Sequence, residues 1–484
     1  MKIALVRPLY GSKFGLGPPF SLGYLSIHLR SAGFRDITLI DGCLDRLSPH
    51  EAVWRVPEGS YGERVMAGIQ VMTGSHLWAR EFIAYLKHHR PDVTVVVGGP
   101  HVTALRELAM DFLGADYGFC GEADIPLTQL AAHIEGMDLP LSKIDGLLYR
   151  EGSGWGATDN AMGFLENLNA RPLPDWTMLA PSRYFPFTSG ATSAQRGRRA
   201  CCIITSRGCP YSCTFCASGG TNQRRIRYRA PDNIIEEMLF LKNTYGVDEI
   251  MFSDDNLTCD MERADELFDL MLREKVGLHW RCPNGVRADR LTEGLVAKMA
   301  QAGCYQLGIG VESGNVDVLK RIRKHLDLAQ VERVVEWCRK WGIETSGFFM
   351  VGLQGENDRQ MRDTLRFALQ VPFDRIQVCD FIPYPGSADF DDIFNRAVPH
   401  LFRANVYGFH YKGTMPEHGL VERGVVLAFQ KEFIKRFYLR PRVLWSMLKG
   451  LRWRQVLSIL RHPFIRRWFS KAAPWFTNEA GDAT

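Results

Sequence analysis

Residues 205–220 read TSRGCPYSCTFCASGG and follow directly on a β-branched run, so Cys209, Cys213 and Cys216 fall on one short loop after a predicted strand, Cys201 to Ser206. Thiolates are the usual protein ligands of iron-sulfur clusters, and three of them on a four-iron cube leave one iron open to another molecule. Spacings of three and two residues let a single loop wrap such a cube, and Gly208 and Pro210 suit the unusual backbone angles it needs. A structural zinc site asks instead for four ligands, usually in two pairs, and no second Cys/His pair stands at a matching distance. Cys201 and Cys202 are adjacent on the strand, so at most one can face the loop. The spacing therefore predicts a [4Fe-4S] cluster, with simple burial of the cysteines as the bland alternative.

Outward from this loop, strands are expected at Glu249 to Asp254, His279 to Cys282, Gln306 to Val311, Thr345 to Val351 and Arg375 to Phe381. Helical periodicity lies between them, for instance over Pro231 to Tyr245, Leu328 to Trp341 and Asp358 to Gln370. Six β/α units in a row predict a partial (β/α)6 barrel, and barrels of this kind place their chemistry in the loops after the strands. Upstream, short strands (Ile3 to Val6, Ile37 to Ile40, Met66 to Met72, Val93 to Val97, Tyr117 to Phe119) alternate with helices. That pattern predicts a doubly wound, Rossmann-like α/β domain, with ligands beyond the carboxyl ends of its strands. The expected division is 1–145 for this domain, 146–196 for a Gly/Pro-rich linker, 197–400 for the barrel and 401–484 for a helical carboxyl-terminal region.

The chain has 484 residues, 46% hydrophobic and 23% charged, with a formal net charge of +5. That charge is too small to demand a nucleic-acid partner. No secretory signal and no apolar run long enough to span a bilayer is evident, so a cytoplasmic setting is expected. Thiols stay reduced there, and the 12 cysteines are better read as ligands or buried residues than as disulfides.

The C-x3-C-x2-C motif, with Phe215 before its last cysteine, resembles the signature of the radical S-adenosylmethionine (SAM) superfamily. The resemblance implies that the open iron binds SAM, whose reductive cleavage gives methionine and a 5′-deoxyadenosyl radical that takes a hydrogen atom from substrate. It also implies an external electron donor such as flavodoxin or ferredoxin. FSDDNLT stands where the family contacts the SAM amino group, which nominates Asp254, Asp255 and Asn256; a carboxylate beside an ammonium is favourable, although the run would equally cap a turn. GIGVESGN is similar to the stretch that reaches the SAM ribose or carboxylate, nominating Glu312 and Ser313. GFFMVGLQGEN is similar to the adenine-lining strand, nominating Val351 and Gly352. Arg287 is a candidate for the SAM carboxylate or, equally, for an ordinary ion pair.

PPFSLGYLSIHLRSAGF, VTVVVGGPHVTA and FCGEAD resemble, together with the order of segments, the cobalamin-binding branch of that superfamily. Glycine-rich loops let backbone approach a broad flat ligand, so Gly98, Gly99 and Gly121 are expected at a corrin face. The D-x-H-x-x-G cobalt-ligating pattern is absent. His101 lies near the expected corrin surface, as a cobalt ligand or as an ordinary hydrogen-bonding residue. The implied function is a methyltransferase acting on an unactivated carbon or phosphorus of a small natural product or lipid intermediate. The alternatives are a radical SAM cyclase or oxidoreductase without methyl transfer, a transfer-RNA methylthiotransferase, disfavoured because only Cys43 and Cys120 precede the linker, and a non-catalytic metal-stabilised binding protein.

From Lys431 to Lys471 basic and aromatic residues interleave. Such a stretch could make peripheral membrane contact, but helices packed across the barrel with basic outer faces are the preferred expectation.

Overall fold

The computed structural model describes residues 1–11, 16–60, 62–156, 158, 160–170, 173–188, 195–394, 405–407, 410–412 and 421–449. Two sheets organise it. The first has seven strands in the order β2-β1-β3-β4-β5-β6-β7: β1 (Lys2–Arg7), β2 (Ile37–Asp41), β3 (Val65–Gln70), β4 (Thr94–Gly98), β5 (Tyr117–Phe119), β6 (Leu147–Glu151) and β7 (Gly154–Gly156). β1 to β5 pair in parallel, and β6 and β7 add as an antiparallel hairpin. In β1, Ile3, Ala4, Leu5 and Val6 are all fully buried, as expected of a parallel strand with both faces covered. Alternate side chains serve opposite faces: Ala4 and Val6 join Val95, Val97, Phe82 and Leu86, whereas Ile3 and Leu5 join Met66, Val96, Leu29 and Leu130.

The second sheet comprises β8 (Ala200–Ile203), β11 (Glu249–Phe252), β12 (His279–Val286), β13 (Cys304–Glu312), β14 (Glu344–Val351) and β15 (Arg375–Asp380), all parallel and each beside its successor. β8 and β15 do not pair with each other, so this is the expected incomplete barrel. Between β8 and β11 run the two short strands β9 (Ser206–Arg207) and β10 (Arg227–Tyr228), paired antiparallel over the cysteine loop.

An open strand edge leaves backbone groups unpaired. The helix Arg423–Tyr438 covers the β15 edge: Gln430 donates to the Val378 carbonyl at 2.8 Å, and Tyr438 donates to the Ile376 carbonyl at 2.8 Å and accepts from its N–H at 3.2 Å. Its apolar side, Phe429, Phe433 and Phe437, is buried against the barrel. The packing expectation for the tail therefore holds over this helix; the stretch from 450 onward lies outside the described residues. Among the described residues no helix is long and apolar enough to cross a membrane.

Two expectations are corrected. The first sheet runs past residue 145, because β6 and β7 pair onto β5 rather than standing in a linker. The region after 400, expected to be helical, also contains a short hairpin of β16 (Asn405–Tyr407) and β17 (His410–Lys412). The rest of the connector does join the two sheets. Asp175 accepts from Ser26 at 2.7 Å and from Arg30 at 2.6 Å, and the next residue, Trp176, donates to Glu237 of the barrel helix Pro231–Tyr245 at 2.9 Å.

Candidate active site

The cysteine loop is held from three sides. At its start, the buried Asp254 carboxylate accepts from the Thr205 N–H at 2.9 Å, the Thr205 hydroxyl at 2.8 Å and the Ser206 hydroxyl at 2.6 Å. Gly208 has φ +92°, and a Cβ there would fall 2.0 Å from the Arg225 carbonyl oxygen, so only glycine admits the turn. Further on, the Thr214 N–H donates to the Ile322 carbonyl at 3.1 Å, and Cys213 Sγ lies 3.9 Å from the Arg323 carbonyl oxygen.

Cys209, Cys213 and Cys216 are each partly buried on the same loop. Burial pushes all three thiols up, Cys216 to about 11, and negative charge from Asp255 and the neighbouring thiols adds to the effect on Cys209 and Cys216. Thiols that resist ionising by themselves, yet sit within electrostatic reach of one another, suit a cationic iron cluster that supplies the compensating charge. Among the described residues no three His, Cys, Asp or Glu side chains converge closely enough to hold a single ion.

Two cavities flank the loop. One, of about 360 Å³, lies between the carboxyl ends of both sheets, with Gln70, Gly98, Gly99 and Gly121 on one side and Ile204, Arg207, Gly208 and Ser253 on the other. The second, of about 450 Å³, occupies the barrel mouth between Phe215, Asn284, Glu312, Phe348, Gln377, Cys379 and Tyr384. Asp255 lines both. It is exposed, and it accepts from the Ser218 hydroxyl of the cysteine loop at 2.9 Å.

Of the residues singled out from the sequence, Gly98, Gly99 and Gly121 line the inter-sheet cavity, Phe215 and Glu312 the barrel mouth, and Asp255 both. Two of these glycines are required by close backbone packing: Gly121 at φ +83° would place a Cβ 2.4 Å from the Gly163 carbonyl oxygen, and Gly99 at φ +105° one 2.9 Å from that of Val71. Glu312 also adopts φ +68°, rare for a side chain of its size, and is held by Lys324 Nζ at 2.9 Å.

The others lie elsewhere. Asp254 is spent on the loop start, and Asn256 is buried, with neither end of its amide hydrogen-bonded among the described residues. The Ser313 hydroxyl is 3.0 Å from that of Thr364 and accepts from the Asn315 N–H, closing the turn before the helix Val316–Arg321, whose N-cap is Asn315. Val351 is core, and Gly352 is covered by Val426 of the tail helix; Phe348, Phe349 and Met350 present the cavity surface in their place. Arg287 pairs with Asp289 at 3.0 Å and stacks 3.9 Å over the Tyr211 ring, bracing the loop from outside. His101 is buried in the helix Pro100–Leu105, stacked on His76 at 5.0 Å with burial lowering its pKa to about 3. His101 is not among the residues lining the inter-sheet cavity, and its Nδ1 lies 3.2 Å from Thr73 Oγ1, in keeping with the hydrogen-bonding alternative.

Comparison with known proteins accounts for the pairing of two such units. The family model of the Radical SAM superfamily matches residues 203–368, and that of the B12 binding domain matches residues 8–131. The chain belongs to the cobalamin-binding branch of the radical SAM enzymes. The two family models imply a [4Fe-4S] cluster, SAM and cobalamin as its cofactors. It is 28% identical to an uncharacterized methyltransferase of Pyrococcus horikoshii over 92% of this chain and 94% of that one. It is 22% identical to the anaerobic magnesium-protoporphyrin IX monomethyl ester cyclase of Rubrivivax gelatinosus over 91% and 78%. In fold it is similar to the radical SAM methyltransferase TsrM from Kitasatospora setae, solved with cobalamin and a [4Fe-4S] cluster, at a TM-score of 0.66 and 18% identity, covering 82% of this chain and 78% of that one.

For this radical SAM enzyme, sequence reasoning passed over Arg207, Tyr24 and Lys324. Arg207 and Tyr24 line the inter-sheet cavity, with the guanidinium 4.8 Å over the ring. The only sequence signal for Arg207 is its place two residues before Cys209; its partners are remote in the chain and could not be read locally.

Proposed function

We propose that this enzyme transfers a methyl group to an unactivated carbon or phosphorus of a small molecule bound in the barrel mouth, with cobalamin in the inter-sheet cavity. The observation that carries the reading is that Asp255, beside the cysteine loop, belongs to the walls of both cavities. Bound together, the cofactors supply a radical that opens the substrate bond and a methyl group that closes it. Cys209, Cys213 and Cys216 hold the cluster. Asp255 orients a cationic group beside it, its carboxylate already turned by Ser218. Lys324 keeps Glu312 aimed into the mouth, and the surrounding Phe215, Phe348, Phe381 and Tyr384 exclude water from the reacting atoms. Gly98, Gly99 and Gly121 let backbone approach the corrin face.

The test is anaerobic purification with cobalamin supplied, followed by metal analysis and an assay for 5′-deoxyadenosine and S-adenosylhomocysteine. About four irons and four sulfides per chain are expected, with both nucleosides formed on turnover. Cys213→Ala should lose SAM cleavage and retain corrin; cleavage that persists overturns the cluster assignment. The likeness to a cyclase over nearly the whole chain favours, as a second reading, oxidation or ring closure without methyl transfer. Turnover that yields 5′-deoxyadenosine but no S-adenosylhomocysteine selects it.

A further inference from the structure

The segment Lys320–His325 reads KRIRKH, with five basic side chains and no acid. Ile322 and Lys324 are buried, whereas Lys320, Arg321, Arg323 and His325 are exposed. The backbone of this segment is bonded to the cysteine loop. The Ile322 carbonyl accepts from the Thr214 N–H at 3.1 Å, and the Arg323 carbonyl oxygen lies 3.9 Å from Cys213 Sγ at the surface of the molecule.

Basic residues at a helix carboxyl end are commonly there to complement the dipole, and that accounts for Lys320 and Arg321 in the helix Val316–Arg321. It does not account for Arg323 and His325, which lie beyond the helix. Asp389, the carboxylate that feels Arg323, is buried and accepts from the Thr214 hydroxyl at 3.1 Å. Arg323 is exposed where its carbonyl oxygen approaches Cys213 Sγ, and Asp391 and Asp392, on the same helix as Asp389, are exposed acids.

Electron transfer falls off steeply with distance, so a carrier must dock where a cluster ligand comes nearest to the surface. Redox encounters use small contact areas and rely on charge complementarity for their rate. We propose that Lys320, Arg321 and Arg323 form the docking surface for an acidic one-electron carrier protein, whose electron enters through the contact between Arg323 and Cys213. One electron leaves the reduced carrier and one enters the cluster; no atom is transferred. The inference rests on the reading that Cys213 holds the cluster.

The test is stopped-flow reduction of the anaerobically reconstituted enzyme by reduced flavodoxin, an acidic carrier, and by reduced methyl viologen, a small cation with no need of the patch. In the wild type the flavodoxin rate should fall steeply with ionic strength. In Lys320→Glu/Arg321→Glu/Arg323→Glu the second-order constant for flavodoxin should drop about tenfold or more, while methyl viologen reduces the variant at least as fast as the wild type. Should the triple variant fail to hold its cluster, Arg323→Gln with the salt series decides, with an expected drop of about threefold. An unchanged flavodoxin rate, or equal slowing with both reductants, overturns the docking surface. A wild-type chain that retains no cluster sinks the underlying reading instead, before any variant is compared.

Discussion

Arg207 of the barrel and Asp124 of the amino-terminal domain form a two-pronged ion pair at 2.9 and 3.0 Å, with the Asp124 side chain 6% exposed. Alongside it Arg227 grips Glu122 at 2.7 and 2.9 Å. Both acids come from the FCGEAD turn at the corrin cavity, and Arg207 stands two residues before Cys209. The turn that carries Gly121 and the loop that carries the cysteines are thus one mechanical unit.

Removing one partner of such a buried pair leaves the other charge unpaired, so Arg207→Met should cost about 3–5 kcal/mol. Chemical denaturation and visible absorbance of bound cobalamin should show lower stability and weaker corrin binding together. Burial alone would raise the Asp124 pKa, but Arg207 and His28 outweigh it and the net shift is downward. The stabilisation is therefore complete above the ordinary aspartate range and is lost only as pH falls through the lowered folded value. A titration that releases cobalamin near pH 5 through this pair would contradict the arrangement.

Neighbouring aspartates should behave differently. Asp254→Ala removes three hydrogen bonds from the start of the cysteine loop and should cost about 2–4 kcal/mol, with iron lost faster to a chelator. Asp255→Ala removes only the Ser218 contact from an exposed carboxylate, so the melting temperature should hold while SAM binding, followed by calorimetry, weakens. The opposite pattern would exchange their roles.

Glu356 carries a pH dependence of opposite sign. It is fully buried, accepts from the N–H groups of Gly352 at 2.8 Å and Leu353 at 3.1 Å, and burial raises its pKa to about 7 in spite of those bonds. The folded chain thus binds a proton that the unfolded chain releases near its ordinary value, and stability falls as pH rises between the two. Glu356→Gln should be nearly neutral at pH 5 and stabilise by about 2–3 kcal/mol at pH 8. Equal melting temperatures at the alkaline end would refute this.

His101→Gln should leave the cobalt spectrum of bound cobalamin unchanged, because the ring lies against His76 and Thr73 and is not part of the cavity wall. An altered axial-ligand band would restore it as a ligand.

Much of the fold was legible because its signals are local. The helices Pro231–Tyr245 and Asp358–Gln370 match their periodicity residue for residue, and each of the six barrel strands overlaps the stretch expected for it. A hairpin near Gly152 to Gly156 is legible within the expected connector, but its attachment to β5 depends on a partner strand about thirty residues upstream. At the site, FSDDNLT marked the right loop but not the right residue: Asp254 and Asp255 are equivalent in sequence, and only packing turns one inward to Thr205 and the other to the cavities.

The sequence by itself determined the cysteine triad, the two βα alternations and the glycines of the cavity, since each depends on residue type and spacing within one short segment. The tertiary structure alone decided that Arg207 meets Asp124, that Lys324 supports Glu312, that Val426 closes over Gly352 and that Asp255 lines both cavities. Those relationships are contacts between segments distant in the chain. Their geometry follows from how sheets, loops and the tail helix pack, and no local pattern encodes it.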